Sequence, residues 1–231
     1  RFRGYDENQI NQNFHKDALH FELFHRLTGP YLVESQAVQP RLKSVQSQSR
    51  VRVKVCGITS PEDGAVAAKA GADAIGLQFY EASPRAVAID QAQEILRTLP
   101  PFVTAVGLFV NADTARVREV LAAVPLDVLQ FHGDESPAFC NSFDRPYIKV
   151  IRMKPGTDVL ACIKDYRSAQ GILLDAWHKD KYGGTGQVID WSLLPDMSGS
   201  TRVILAGGLN PGNVAAAIRQ VKPWAVDVST G

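Results

Sequence analysis

Cys56 ends the apolar run Val53-Lys54-Val55-Cys56 and stands just before Gly57, in the word VKVCGIT. A thiol is the one side chain in such a run that can serve as a nucleophile or base once ionised. Strand alternation sends Lys54 and Cys56 to one side and Val53 and Val55 to the other, so an ammonium shares the cysteine's face and favours thiolate. A lone cysteine in an apolar strand is equally a small hydrophobe that packs inertly. Asp175 closes a second apolar run, GILLDA. Burial there raises a carboxyl pKa, which suits a general acid working near neutrality, although an Asp that only opens the next loop has the same surroundings in sequence.

Other residues could bind rather than react. Gln130 and His132, in LQFHGDE, share parity and point the same way. His132 reads as a substrate contact or as a hydrogen-bonded structural histidine. Arg85, in YEASPR, can fork onto a carboxylate or stay solvated. Three glycine-bearing segments suit an anion. KYGGTGQ, with Gly184 and Gly186, frees the backbone to approach a ligand, to move as a lid, or simply to turn. LAGGLNPGN offers the N–H groups of Gly207 and Gly208, then Asn210 as an expected helix N-cap with Pro211 at the first helical position. AVDVSTG adds Asp227, Ser229 and Thr230. Two neighbouring glycine-containing turns favour phosphate as the anion.

The elements that must hold these groups are legible from Val51 onward. Eight strand-like runs (VRVKVC, DAIGLQF, FVTAVGLF, DVLQF, YIKVI, GILLD, RVILAG and AVDVS) recur at about 20 to 25 residues and alternate with helical stretches such as PEDGAVAAKAG, AIDQAQEILRTL, DTARVREVLAAV and PGNVAAAIRQV. Short β-branched strands separated by helices pair in parallel through right-handed crossovers, and eight such units close into a (β/α)8 barrel of α/β class. Function then sits at the C-terminal strand ends, and phosphate sites after strands seven and eight are a habit of this fold. A doubly wound open sheet is the competing architecture, but no G-x-G-x-x-G follows the first strand.

Composition narrows the function classes. The 231 residues carry 25 Lys+Arg against 24 Asp+Glu, which gives no broad basic surface for nucleic acid. With 45% hydrophobic residues there is material for one sizeable core. Cys56, Cys140 and Cys162 are odd in number and widely spaced, which indicates neither a disulfide framework nor a zinc site and fits a reducing cytoplasm. No apolar run approaches the roughly 18 residues of a membrane span.

Residues 1–50 differ in character, being rich in Gln, Asn, His and Ser, so a boundary is expected near residue 50, with a barrel domain over 51–231. Lys16 to Leu27 can form one amphipathic helix stopped by Gly29-Pro30. His15, His20 and His25 do not form a metal site, because a spacing of five turns successive side chains by about 140° on a helix. Val51 stands where a chain beginning VRVKVCGIT would start, and the preceding residues then read as an extension or read-through.

Taken in order, VKVCGIT, SPR, LQFHGDE, GILLDA, GGTG, ILAGGL and AVDVSTG closely resemble the phosphoribosylanthranilate isomerases of tryptophan biosynthesis, over residues 51–231. The resemblance implies an aldose–ketose isomerisation, the Amadori rearrangement of N-(5-phosphoribosyl)anthranilate to a 1-deoxyribulose 5-phosphate ketoamine, with no cofactor and no metal. It implies Asp175 as general acid and Cys56 as general base. Arg85 is then the contact for the anthranilate carboxylate, and Lys54, Gln130, His132 and Asp227 surround the substrate. The phosphate falls to Gly184, Gly186, Gly207, Gly208, Ser229 and Thr230. The implied partner is this small phosphosugar, bound by a cytoplasmic monomer or homodimer that engages neither nucleic acid nor membrane. Members usually continue past the eighth strand into a covering helix, whereas this sequence stops at Gly231; the expectation is a weakened barrel. A different phosphosugar barrel enzyme would want metal-binding histidines, or a catalytic Lys and Glu, at the strand ends. A non-catalytic remnant that binds a phosphosugar is the reading from another class.

Overall fold

The computed structural model describes residues 50–176, 190–191, 194–195 and 202–229. All of them fall in the compact unit Ser49–Gly231. Eight parallel strands close on themselves in chain order: β1 Arg52–Cys56, β2 Ala74–Gln78, β3 Thr104–Phe109, β4 Val128–Phe131, β5 Tyr147–Met153, β6 Gly171–Ala176, β7 Val203–Leu205 and β8 Ala225–Val228. β8 pairs back onto β1, with Lys54 opposite Asp227, and this pairing completes the ring.

The helices form where the apolar spacing and caps require them. α1, Pro61–Lys69, begins at Ser60, whose hydroxyl accepts from the Asp63 N–H at 3.1 Å, with Pro61 in the first turn. α2, Ile89–Thr98, buries Ala92 and Ile95 against the sheet. α3, Thr114–Ala123, is capped by Asp113, which accepts from the Arg116 N–H at 2.7 Å. Two short helices, α4 Pro137–Cys140 and α5 Val159–Asp165, start at Ser136 and Asp158 in the same manner. α6, Val214–Val221, precedes β8. Asn210 and Pro211 do not open this helix as expected. The Asn210 side chain accepts instead from the Gly212 N–H at 2.9 Å, making a local turn, and the helix begins only after Asn213.

Alternation along the strands divides two cores. Outward residues such as Ile75, Leu77, Phe109, Leu129 and Phe131 pack with Ala92, Ile95, Val117 and Val120 of the helices. Inward residues Ile148, Val150, Leu173, Ile204 and Ala225 fill the barrel. At the N-terminal end the barrel opens into a cavity of about 360 Å³ bordered by Val128, Ile148, Arg52, Arg202 and Trp224. The buried polar side chains gather at the other end, where the strands finish. Among the described residues no helix is long and apolar enough to cross a membrane.

Candidate active site

Six of the buried polar residues stand at inward positions on the strands or just past their ends: Lys54, Gln78, Gln130, His132, Asp175 and Asp227. Polar groups inside a barrel cost free energy unless partnered, so their concentration at one end marks a site. Lys54 and Cys56 project inward together from β1, and Asp227 meets Lys54 from β8, Nζ to Oδ1 at 2.9 Å. Asp175 projects from β6 and His132 from just beyond β4; His132 Nε2 lies 3.1 Å from Asp175 Oδ2. The other carboxylate oxygen, Oδ1, accepts from the Ala176 N–H at 2.9 Å, so the carboxyl is held at both oxygens.

The lysine neighbour does favour thiolate, as expected, but burial outweighs it. Burial pushes the Cys56 thiol above its ordinary value; the Lys54 ammonium opposes this but is itself engaged by Asp227, whose charge adds to the rise. Lys54 is held charged, its pKa raised to about 12: burial works against the ammonium, and Asp227 and Cys56 outweigh it. Burial also lifts the Asp227 carboxyl, with Lys54 pulling the other way.

Gly76 is a residue of this site that the sequence reading passed over. It faces Cys56 across the β1–β2 ladder, and a Cβ there would stand 2.7 Å from Cys56 Sγ and 3.1 Å from Lys54 Nζ. Its signal was a glycine in the middle of a strand, which marks close approach. Arg85 lies folded over Gly57, with Nε buried and unpartnered. Gly57 has φ +83°, and a side chain there would collide with that guanidinium. Gln130, 1% exposed, has neither amide atom hydrogen-bonded. A buried amide left so costs about 1–3 kcal/mol and is a ready partner for a ligand.

After β7, Gly207 and Gly208 take φ +81° and +60°. Among the described residues their N–H groups meet no acceptor, while the Gly208 carbonyl is engaged by Asn213 Nδ2 at 2.9 Å. Ser229 follows the adjacent strand and is exposed. Gly184, Gly186 and Thr230 lie outside the described residues, as do the expected helix over 16–27 and its histidines. The structure thus gathers Cys56, Lys54, Asp227, Asp175, His132, Gln130 and Arg85 at one mouth, with a glycine turn on its rim. Lys54 and Asp227 spend their charges on each other.

A family model described as N-(5'-phosphoribosyl)anthranilate isomerase matches residues 53–231. The N-(5'-phosphoribosyl)anthranilate isomerase of Pseudomonas putida W619 is 57% identical over 183 residues, 79% of this chain and 88% of that protein. The crystal structure of phosphoribosyl anthranilate isomerase from Thermotoga maritima superposes with a TM-score of 0.72 at 39% identity, covering 79% of this chain and 89% of that one. A phosphoribosyl anthranilate isomerase in complex with reduced 1-(o-carboxyphenylamino)-1-deoxyribulose 5-phosphate superposes at 0.69 with 38% identity, covering 79% and 88%. A barrel of this topology with a thiol, a paired carboxylate and a glycine turn at one mouth, matched over nearly its whole length, belongs to the N-(5'-phosphoribosyl)anthranilate isomerase family of enzymes.

Proposed function

We propose that Cys56 and Asp175 are the base and acid with which this isomerase converts N-(5'-phosphoribosyl)anthranilate to 1-(2-carboxyphenylamino)-1-deoxyribulose 5-phosphate, a step of tryptophan biosynthesis. The observation that carries the assignment is that these two groups, 119 positions apart in sequence, face one interior at the same strand ends, with Asp227 close enough to bear on both. Asp175 donates a proton to the furanose ring oxygen, the ring C–O bond breaks, and the nitrogen lone pair forms the iminium. That cation acidifies the C2 hydrogen. The Cys56 sulfur, as thiolate, removes it; the electrons move to the nitrogen, giving an enolamine that ketonises to the product.

His132 holds Asp175 through the 3.1 Å contact. The Lys54 ammonium, kept charged by Asp227, stabilises the thiolate while it forms. Arg85, with its unpartnered Nε, receives the anthranilate carboxylate. The N–H groups of Gly207 and Gly208, which meet no acceptor among the described residues, receive the phosphate with Ser229. Gln130 offers its unpaired amide to the sugar hydroxyls.

Acid–base catalysis contributes about 10²–10⁴-fold per group, so Cys56→Ala and Asp175→Ala should each lose turnover by that order with little change in KM. Decay of phosphoribosylanthranilate fluorescence measures both. Near-normal turnover in folded Asp175→Ala would remove that residue from the mechanism.

A further inference from the structure

Behind the barrel wall lies a buried charge pair that the chemistry above does not use. Lys149 points outward from β5 and Glu135 follows β4; they are 3% and 6% exposed, and Nζ meets Oε2 at 2.8 Å. The same ammonium donates to the Gly133 carbonyl at 2.7 Å, and Glu135 Oε1 accepts from the Gly133 N–H at 3.2 Å and from the Asn111 N–H at 2.8 Å. One ion pair therefore grips both polar backbone groups of Gly133. The next residue is held as well: the Asp134 N–H donates to Asn111 Oδ1 at 2.7 Å, and its carboxylate pairs with Arg152. Tyr166 seals the pair, its hydroxyl donating to the Glu135 carbonyl at 2.8 Å.

Gly133 is bonded directly to His132. The imidazole makes one side-chain hydrogen bond among the described residues, the contact to Asp175, so its orientation depends on its backbone. That backbone is fixed on one side by the His132 N–H donating to the Phe109 carbonyl at 2.9 Å, and on the other by the gripped glycine. Stability alone does not call for charges here, since an apolar pair of similar volume serves a buried position at least as well. Charge-assisted bonds do supply a fixed direction at each polar atom of the loop.

We propose that Glu135 and Lys149 are positioning residues for catalysis: from outside the barrel they set the 132–135 loop, and through it the His132 ring against Asp175. The proposal rests on Asp175 being the acid.

The test uses the full chain carrying Glu135→Gln, which keeps the oxygen facing Asn111 and Gly133 and removes the charge facing Lys149. Turnover should fall about 10- to 100-fold, the effect of misplacing a catalytic group by about 1 Å. KM should stay near the wild-type value, and the ring-nitrogen resonances of His132 in a 15N-labelled sample should move. Asn111→Gly removes only the acceptor for the Asp134 N–H at a position whose φ of +49° suits glycine, and should show the same signature more weakly. If Glu135→Gln does not fold, Lys149→Gln, which keeps a donor for the Gly133 carbonyl and removes the charge facing Glu135, decides the matter by the same readouts. Wild-type turnover and unmoved His132 resonances in a folded variant, or a raised KM with unchanged turnover, would overturn the proposal. Failure of the underlying assignment looks different: Asp175→Ala would stay active while the His132 resonances still moved in Glu135→Gln.

Discussion

Replacing Gly76 by Ala is the most direct way to ask whether the sulfur's place matters. The added methyl would sit 2.7 Å from Cys56 Sγ, 3.1 Å from Lys54 Nζ and 3.2 Å from Cys56 Cα. Heavy atoms in ordinary contact stand about 3.5–4.0 Å apart, so the sulfur must retreat by about 1 Å. The backbone of β1 cannot absorb this easily, because it is paired to β2 on one side and β8 on the other. Overpacking of this kind costs about 1–3 kcal/mol of stability, and a displacement of about 1 Å at a reacting atom costs about 10²-fold in rate. Steady-state fluorescence decay gives kcat and KM, a thermal melt gives stability, and iodoacetamide alkylation over a pH series reports the thiol. The expected pattern is a large fall in kcat, a modest fall in Tm, and slower alkylation. A variant with wild-type kcat would show that the sulfur's position does not govern the reaction, and the assignment of Cys56 would fall with it.

The charges around the thiol predict shifts of opposite sign. A base works deprotonated, and the buried thiol titrates above its ordinary value of 9.0, so kcat/KM should climb with pH through the neutral range. Lys54→Met removes the cation that opposes this rise and moves the limb to higher pH, at about tenfold in neutral rate per pKa unit. Asp227→Asn removes an anion that adds to the rise and moves the limb down, though leaving Lys54 unpaired in the interior destabilises by about 3–5 kcal/mol. Shifts in the same direction for the two variants would refute this electrostatic account. In the outer core, Phe131 is fully buried among the rings of Phe109, Phe139, Phe143 and Tyr147; Phe131→Ala should cost about 3–5 kcal/mol in chemical denaturation, and a loss under 1 kcal/mol would place the stabilising packing elsewhere.

The strands were legible because each is a short β-branched run with punctuation on both sides, and the four longest helices carry enough apolar repeats to show their period. α4 and α5 are too short to display one and are defined by their Ser136 and Asp158 caps. Parity alone puts Lys54 beside Cys56 and Gln130 beside His132. What parity does not carry is pairing across the ring. Asp227 reaches Lys54 from 173 positions away, and that contact turns a supposed free cation into half of an ion pair. The thiol's titration followed from burial, which is a property of closure rather than of the word VKVCGIT. Glu135 and Lys149 carry no mark in sequence, because their burial depends on the Tyr166 side chain that covers them, farther along the chain.

The contact between Lys54 and Asp227 joins the first strand to the last. Neither half of the polypeptide can assemble the thiol's surroundings alone: β1 supplies sulfur and ammonium, and the counter-ion arrives only with β8. Catalytic competence therefore requires the shut cylinder, whatever the order in which the strands join, because the thiol's ammonium has its counter-ion only across that seam. In refolding, the return of substrate fluorescence decay reports closure of that seam, a different event from the gain of helix read by circular dichroism.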